Sequence, residues 1–333
     1  MDGTVEALIT LIDEAHEAIQ ERPRAHLGCS NLGHPCDRWV WLNFRLAVIQ
    51  KFPGRILRLF RRGHLEEPQI IRDLILAGVE VGTDQAAVDF GSHVKGSADL
   101  VIERGVPGSP DDRHVAEFKT HALASFRDVK KTGVKKSKPT HWAQMQLYML
   151  GLKIKKGLYV AVCKNDDQYY IESVELDHEA AEALVQKGHR ISQAERMPEP
   201  ISTDPSWYQC KFCPAHDFCH KTKLTQEVNC RTCAHSTARG DSTWHCNQFD
   251  DVVPFEFQLK GCDKHVLHPD LVPWKIVATE STPTVAAFDV NGHTLKNGPE
   301  NLTSRELIAN APACAASETA QIKADFPGAK IYG

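Results

Sequence analysis

Seven of the eleven cysteines fall between residues 210 and 262, in two runs of different spacing. Cys210-x2-Cys213-x5-Cys219 comes first, and Cys230-x2-Cys233-x12-Cys246-x15-Cys262 follows. In a reducing compartment, clustered thiols bind metal more often than they form disulfides. Ligation rather than a periodic core is therefore expected to organise this segment. A thiolate site usually takes four protein ligands, so the first run is one short. Cys29, Cys36, Cys163 and Cys314 are scattered elsewhere.

The compartment is read from the rest of the chain. "MDGTVEALITLIDEAHEAIQ" is acidic and amphipathic, unlike a signal peptide. No apolar run reaches the roughly 20 residues of a membrane span. A cytoplasmic protein without a membrane partner is expected. The net charge of −4 gives no global basic character, so any polyanion site must be a local patch. With 333 residues and 42% hydrophobic composition, the chain can bury a real core in one large domain or two.

Apolar spacing predicts helices at 4–21, 35–50 and 54–81, the last interrupted at Pro68 and ended by Gly78. The period then changes. "AAVDFGSHVKGSADLVIERG" alternates around central turn residues as a hairpin would, and "HVAEFKT" (114–120) reads as a third strand. The basic stretch "RDVKKTGVKKSKPT" (127–140) reads as a mobile segment leading into the helical "HWAQMQLYMLGLK". Strands at 157–163 and 168–174 and a helix at 178–194 follow. The last fifty residues carry little periodic signal, and loose or appended structure is expected there. The order predicts an α/β core with a central mixed sheet, an N-terminal helical subdomain and a Cys-rich C-terminal module.

Within this core Glu117 and Lys119, two apart on a strand, share one face, with Phe118 on the other. Asp99 on the preceding strand can reach Glu117. Two carboxylates on one face repel unless a cation lies between them, and hard oxygen ligands suit Mg2+ or Mn2+. A lysine beside such an ion can orient or deprotonate water. Gln144 and Tyr148 stand at i and i+4 on one helix face. Each signal is weak alone; a Glu-x-Lys on a strand is usually a solvated pair.

The ordered series Gly63-x3-Glu67, Gly96-x2-Asp99, Glu117-x-Lys119 and Gln144-x3-Tyr148 resembles the PD-(D/E)XK nuclease superfamily in its RecB-like exonuclease branch, over roughly residues 30–220. The resemblance implies that Asp99 and Glu117 hold a divalent metal, with the Phe118 carbonyl as a further ligand. Lys119 would serve the attacking water, and Gln144 and Tyr148 would position substrate or metal-bound water. Relatives in the RecB branch commonly place a histidine where Glu67 stands, and phage exonucleases a glutamate. Here Glu66 and His64 are alternatives to the favoured Glu67. AddB-type and CRISPR-associated RecB-like exonucleases carry one cysteine before the core and a C-x2-C-x5-C run after it. On that pattern Cys36 joins Cys210, Cys213 and Cys219 around a 4Fe–4S cluster. Zinc at the same thiolates, a local zinc site using His216 or His220, and Cys29 in place of Cys36 are the alternatives.

The second cysteine set lies outside the shared core. Its C-x2-C opening and loop lengths suit a small zinc module of Cys230, Cys233, Cys246 and Cys262, with His235, His245 and His265 as alternates. Expected boundaries are 1–225 for the nuclease domain, 226–270 for the zinc module and 271–333 for the tail. Lys130, Lys131, Lys135, Lys136 and Lys138, with Arg58, Arg61 and Arg62, are candidate phosphate contacts. Trp142 is a candidate base-stacking residue. The expectation is a Mg2+-dependent DNA exonuclease of phage or mobile-element type, acting in host cytoplasm in recombination, repair or end processing beside a recombination or replication partner. A non-catalytic metal-stapled DNA-binding or adaptor protein and a restriction-like endonuclease are the alternatives.

Overall fold

The computed structural model describes residues 3–19, 22–82, 86–290 and 292–309. Cys314 and the rest of residues 310–333 lie outside them. The chain divides into two compact units, Met1–Pro35 with Lys51–His189, and Cys36–Gln50 with Arg190–Gly333. The expected boundaries at 225 and 270 both fall inside the second unit.

Among the described residues, eight strands build the first unit: Leu27–Gly28 (β1), Glu80–Val81 (β2), Ala86–Asp89 (β3), Val94–Ala98 (β4), Leu100–Arg104 (β5), His114–His121 (β6), Lys156–Cys163 (β7) and Tyr169–Glu175 (β8). The main sheet has the order β2-β5-β6-β7-β8, with β6 and β7 parallel and the other pairs antiparallel. This is the expected central mixed sheet. The apolar run of β7 is buried almost throughout, as a parallel central strand requires. The alternating stretch after residue 85 forms three strands rather than one hairpin. β3 and β4 pair with β1 in a separate small sheet, while β5 enters the main one. Asp99 therefore stands at the switch between β4 and β5, not within a strand.

The helix Gly54–Leu76 is continuous, and Pro68 lies inside it. Proline removes one backbone donor and crowds the preceding turn. The break expected there does not occur because the helix is held by packing: Ile70, Ile71 and Leu74 join Leu100, Ile102, Phe118 and Val160 in one apolar cluster. The basic stretch is also helical, as Leu123–Thr132 and Val134–Ser137 leading into Pro139–Leu152, with Gly133 turning at φ +78°. Buried Phe126, Val129 and Val134 anchor it. Lysine repulsion is relieved by Asp128 near Lys138 (3.4 Å), Asp177 near Lys135 (3.4 Å) and the Trp142 ring, 4.3 Å beneath the Lys135 ammonium. The helix after β8 runs His178–Ser192.

In the second unit the helix Asp37–Phe44 ends well short of residue 50, and Leu46 at φ 52° turns the chain. Ser236–Ala238 (β9), Trp244–Cys246 (β10) and Asp251–Val252 (β11) form one antiparallel sheet. Lys275–Ile276 (β12), Ala286–Val290 (β13) and His293–Asn297 (β14) form another. Phe288, Val290, Leu295, Leu302 and Leu307 fill a core beneath this second sheet. Residues 275–290 and 292–309 thus carry structure of their own, the appended rather than the loose form of what was expected for the last fifty residues. Their strands are too short, and their helix of six residues too brief, to imprint a period on the sequence. No helix among the described residues is long and apolar enough to cross a membrane.

Candidate active site

β6 carries the acid and the lysine. Alternation turns Phe118 into the apolar cluster and puts Glu117 and Lys119 on the opposite side. Glu117 is fully buried, and Lys119, 27% exposed, bends back to it: Nζ donates to Glu117 Oε1 and, at 2.9 Å, to the Phe118 carbonyl. Asp99 is fixed at the strand switch because its Oδ2 accepts the Phe118 N–H at 2.8 Å. The same oxygen lies 4.0 Å from Lys119 Nζ. Glu67, three residues from its partner His64 on the long helix, stands 3.6 Å from that ring.

Burial pushes the Glu117 carboxyl up to about 7 against the pull of Lys119, and Asp99 and Glu67 raise it further. Glu67 is also raised, first by burial and then by Asp99. Lys119 is held protonated by Glu117 and Asp99 although burial opposes it. The three acids and the lysine therefore share one electrostatic neighbourhood. Glu117 Oε2 is buried without any hydrogen-bond partner. An orphaned carboxylate oxygen in a low-dielectric site is costly, and a hard divalent cation is the partner its chemistry suits. Among the described residues no three His, Cys, Asp or Glu side chains form a closed metal site; Lys119 supplies the positive charge between the acids. Asp99, Glu117 and the Phe118 carbonyl are oxygen donors of the kind that Mg2+ or Mn2+ takes, with Glu67 at the margin.

The helix Pro139–Leu152 brings Gln144 and Tyr148 to the same place. Gln144 Nε2 donates to Tyr148 Oη at 3.1 Å, and the phenol, 3% exposed, is kept protonated by burial and by the nearby Glu117. Gly96 explains itself here. A Cβ at that position would lie 2.8 Å from the Tyr148 ring and 2.9 Å from Cys29 Sγ, so only glycine lets the helix close over β4. Cys29 is thereby packed in the first unit.

A cavity of about 480 Å3 opens beside these groups, walled by Phe60, Gly63, His64, Glu67, Lys119 and Thr120. Of the basic candidates, Lys130, Lys131, Lys135 and Lys136 are exposed. Arg58 instead pairs with Asp13, and Arg62 donates to the Lys164 carbonyl. Trp142 faces Lys135 rather than open solvent alone.

Sequence reasoning passed over three residues. Tyr159 Oη bonds His121 Nε2 at 2.8 Å and His141 Nδ1 at 3.0 Å, and the two imidazoles stack 6.0 Å apart. Burial drives His121 down to about 4, with Lys138 and Lys119 adding, and His141 down to about 3, with Lys119 adding. The signal was present. His121 continues the alternation Glu117, Lys119, His121, and His141 precedes Gln144 by three on the helix face.

In the second unit, Cys36, Cys210, Cys213 and Cys219 come within electrostatic reach of one another. Burial lifts the Cys213 thiol to about 11, and Cys36, Cys219 and Cys210 add to the rise. Arg38 hydrogen-bonds the Cys219 sulfur. His216 and His220 lie near each other with ring centroids 5.2 Å apart, and His216 is engaged by Asp217. Cys230, Cys233, Cys246 and Cys262 line a separate small cavity.

Comparison with known proteins gives this geometry its context. A search of curated proteins found no significant match. Solved structures to which the chain is similar include SSO0001 (16% identity, TM-score 0.38, covering 65% of this chain and 96% of that one). They also include the alkaline exonuclease LHK-Exo from Laribacter hongkongensis (19% identity, TM-score 0.39, covering 54% and 90%). A phage related exonuclease from Haemophilus somnus 129PT is a third (16% identity, TM-score 0.28, covering 40% and 68%). The family model of the PD-(D/E)XK nuclease superfamily matches residues 3–220, which span the orphaned Glu117 carboxylate, Asp99 and Lys119, and the chain belongs to that superfamily.

Proposed function

We propose that this protein is a Mg2+- or Mn2+-dependent deoxyribonuclease that degrades DNA from its ends. The observation that carries the reading is Glu117: a buried carboxylate with an unpartnered oxygen, flanked by Asp99 and by a lysine. A metal-free binding protein has no reason to bear the cost of such a group. When bound, the divalent ion supplies charge neutralisation at the scissile phosphate and acidifies water. Asp99 and Glu117 would hold it, with the Phe118 carbonyl. Lys119 Nζ orients the attacking water and offers positive charge to the phosphate oxygens. Tyr148, neutral and braced by Gln144, donates its hydroxyl toward the same place. The adjoining 480 Å3 cavity has room for a terminal nucleotide, with Phe60 and Ile56 as an apolar wall for a base and Lys164 beside it. We further assign Cys36, Cys210, Cys213 and Cys219 to a 4Fe–4S cluster. Support comes from their mutual proximity and from a donor set of four thiols.

End-labelled linear and covalently closed circular DNA, incubated with purified protein and Mg2+, test the reading. Release of labelled nucleotides from linear DNA, with closed circles spared, is expected. Asp99→Asn and Lys119→Met should each reduce the rate by about 100-fold or more, the scale of one lost charge-stabilising group. Cleavage of closed circles would make the enzyme an endonuclease, and full activity in both variants would remove the site. For the cluster, anaerobically purified protein should be brown. Cys36→Ala should bleach it as Cys213→Ala does, while Cys29→Ala leaves it coloured; zinc without iron would overturn the cluster.

A further inference from the structure

We propose that Cys230, Cys233, Cys246 and Cys262 hold one zinc ion in a tetrathiolate site that takes no part in phosphodiester chemistry. The four residues line a cavity of about 20 Å3 together with His235 and Ser236. A space of this size admits one water or ion, for which the threshold is roughly 10–15 Å3. The surroundings are built. The Cys230–Thr232 turn is fixed by Asn229, whose side chain accepts the Arg231 and Thr232 N–H groups, while the Thr232 hydroxyl returns to the Asn229 N–H. Cys246 ends β10, directly across from Ser236 on β9. Cys262 opens a turn closed by the His265 N–H at 3.2 Å. Among the described residues the four thiols do not form a closed metal site, so binding requires them to draw together.

The histidines divide cleanly. His265 has both ring nitrogens engaged, Nδ1 with Ser304 Oγ at 2.8 Å and Nε2 with the Asn229 carbonyl at 2.9 Å. His245 precedes Cys246 on the strand, so it faces the other side, where Nε2 meets Asp250 at 3.2 Å. His235 lines the cavity as His265 does, but its Nε2 has no partner; His245 Nδ1 is also unpartnered, on a residue that does not line the cavity. Ser236 Oγ, 4% exposed, is likewise unpartnered at the same cavity. Four thiolates around Zn2+ leave two net negative charges, and the four thiol protons pass to solvent as the Zn–S bonds form. His235 and Ser236 then donate to the sulfurs, and Lys264, also lining the cavity, adds positive charge.

Full-length protein purified with zinc tests the site by elemental analysis and by iodoacetamide mapping. Cys262 is exposed, so its thiol should alkylate readily; the proposal expects it to resist, with Cys246, until a strong zinc chelator is added. Cys246→Ser should lower zinc by one equivalent per chain, whereas His245→Ala and Cys213→Ser should both keep that equivalent. Cys246→His retains a ligand and should hold the ion with an altered visible spectrum after cobalt substitution. Alkylation of Cys262 at the same rate with and without chelator, or undiminished zinc in Cys246→Ser, overturns the site. Should Cys246→Ser fail to fold, the alkylation result on the unaltered chain decides. Neither readout depends on nuclease activity, so the two readings fail separately.

Discussion

Replacing Glu117 by glutamine separates what the carboxylate costs the fold from what it does for the site. Its folded-state value, about 7, stands above the ordinary 4.5 chiefly through burial, and the attraction of Lys119 is already contained in it. A raised carboxyl contributes stability that is fully present below pH 4.5 and lost as pH rises through 7. At about 1.4 kcal/mol per pK unit, the ionised group costs the chelated protein about 3 kcal/mol at pH 8. Glutamine keeps the shape and removes the charge. In EDTA at pH 8, Glu117→Gln should therefore melt higher than wild type, by roughly 6–12 °C for a unit of this size. At pH 4 the two should nearly coincide. Mg2+ should raise the melting temperature of wild type and leave the variant almost unmoved. The assay is thermal unfolding by circular dichroism across pH, with and without Mg2+. A variant no more stable than wild type at pH 8 in EDTA would refute the buried-charge argument. An equal Mg2+ response in both would refute the ligand assignment.

Neutralising Lys130, Lys131, Lys135 and Lys136 to glutamine should weaken DNA binding on every sequence and flatten its salt dependence, since fewer counterions are released; an unchanged slope in a filter-binding titration would return these helices to a solvated surface. His121 and His141, lowered to about 4 and about 3, contribute stability that is present above pH 6.5 and lost as pH falls toward 4. His141→Gln should make unfolding less sensitive to acid over that window, and an identical acid limb would show that the pair is already charged. Gly96→Ala should destabilise by about 1–3 kcal/mol through overpacking against Tyr148 and Cys29. Urea denaturation measures the loss, and a neutral result would mean that the helix over β4 yields freely.

Much of the site was legible because its residues obey short rules. Alternation put Glu117 and Lys119 together, and helical spacing paired Gln144 with Tyr148. The location of Asp99 was less so, because one run of alternating residues changes sheets at that position, and period-2 patterning carries no information about which sheet a strand joins. Pro68 misled for a related reason. Local propensity argues for a break, and only the tertiary cluster around Ile70 shows why the helix persists. The lysine stretch read as loop because its charge hid the apolar stripe of Phe126, Val129 and Val134. The third small sheet was invisible, being held by long-range burial of Phe288 and Leu295 rather than by any repeat.

The excursion of residues 36–50 into the second unit carries a consequence for the order in which the protein is made. This segment leaves the ribosome early, yet the rest of its unit begins only at residue 190. Val40, Trp41, Leu42 and Phe44, all buried in the finished fold, must wait through the synthesis of the entire intervening sheet. Closing so long a loop is slow, and the waiting residues are sticky. A truncation after residue 189 would leave them permanently without their partners. A soluble catalytic fragment should therefore require excision of 36–50 with a short bridging linker, rather than a simple stop codon.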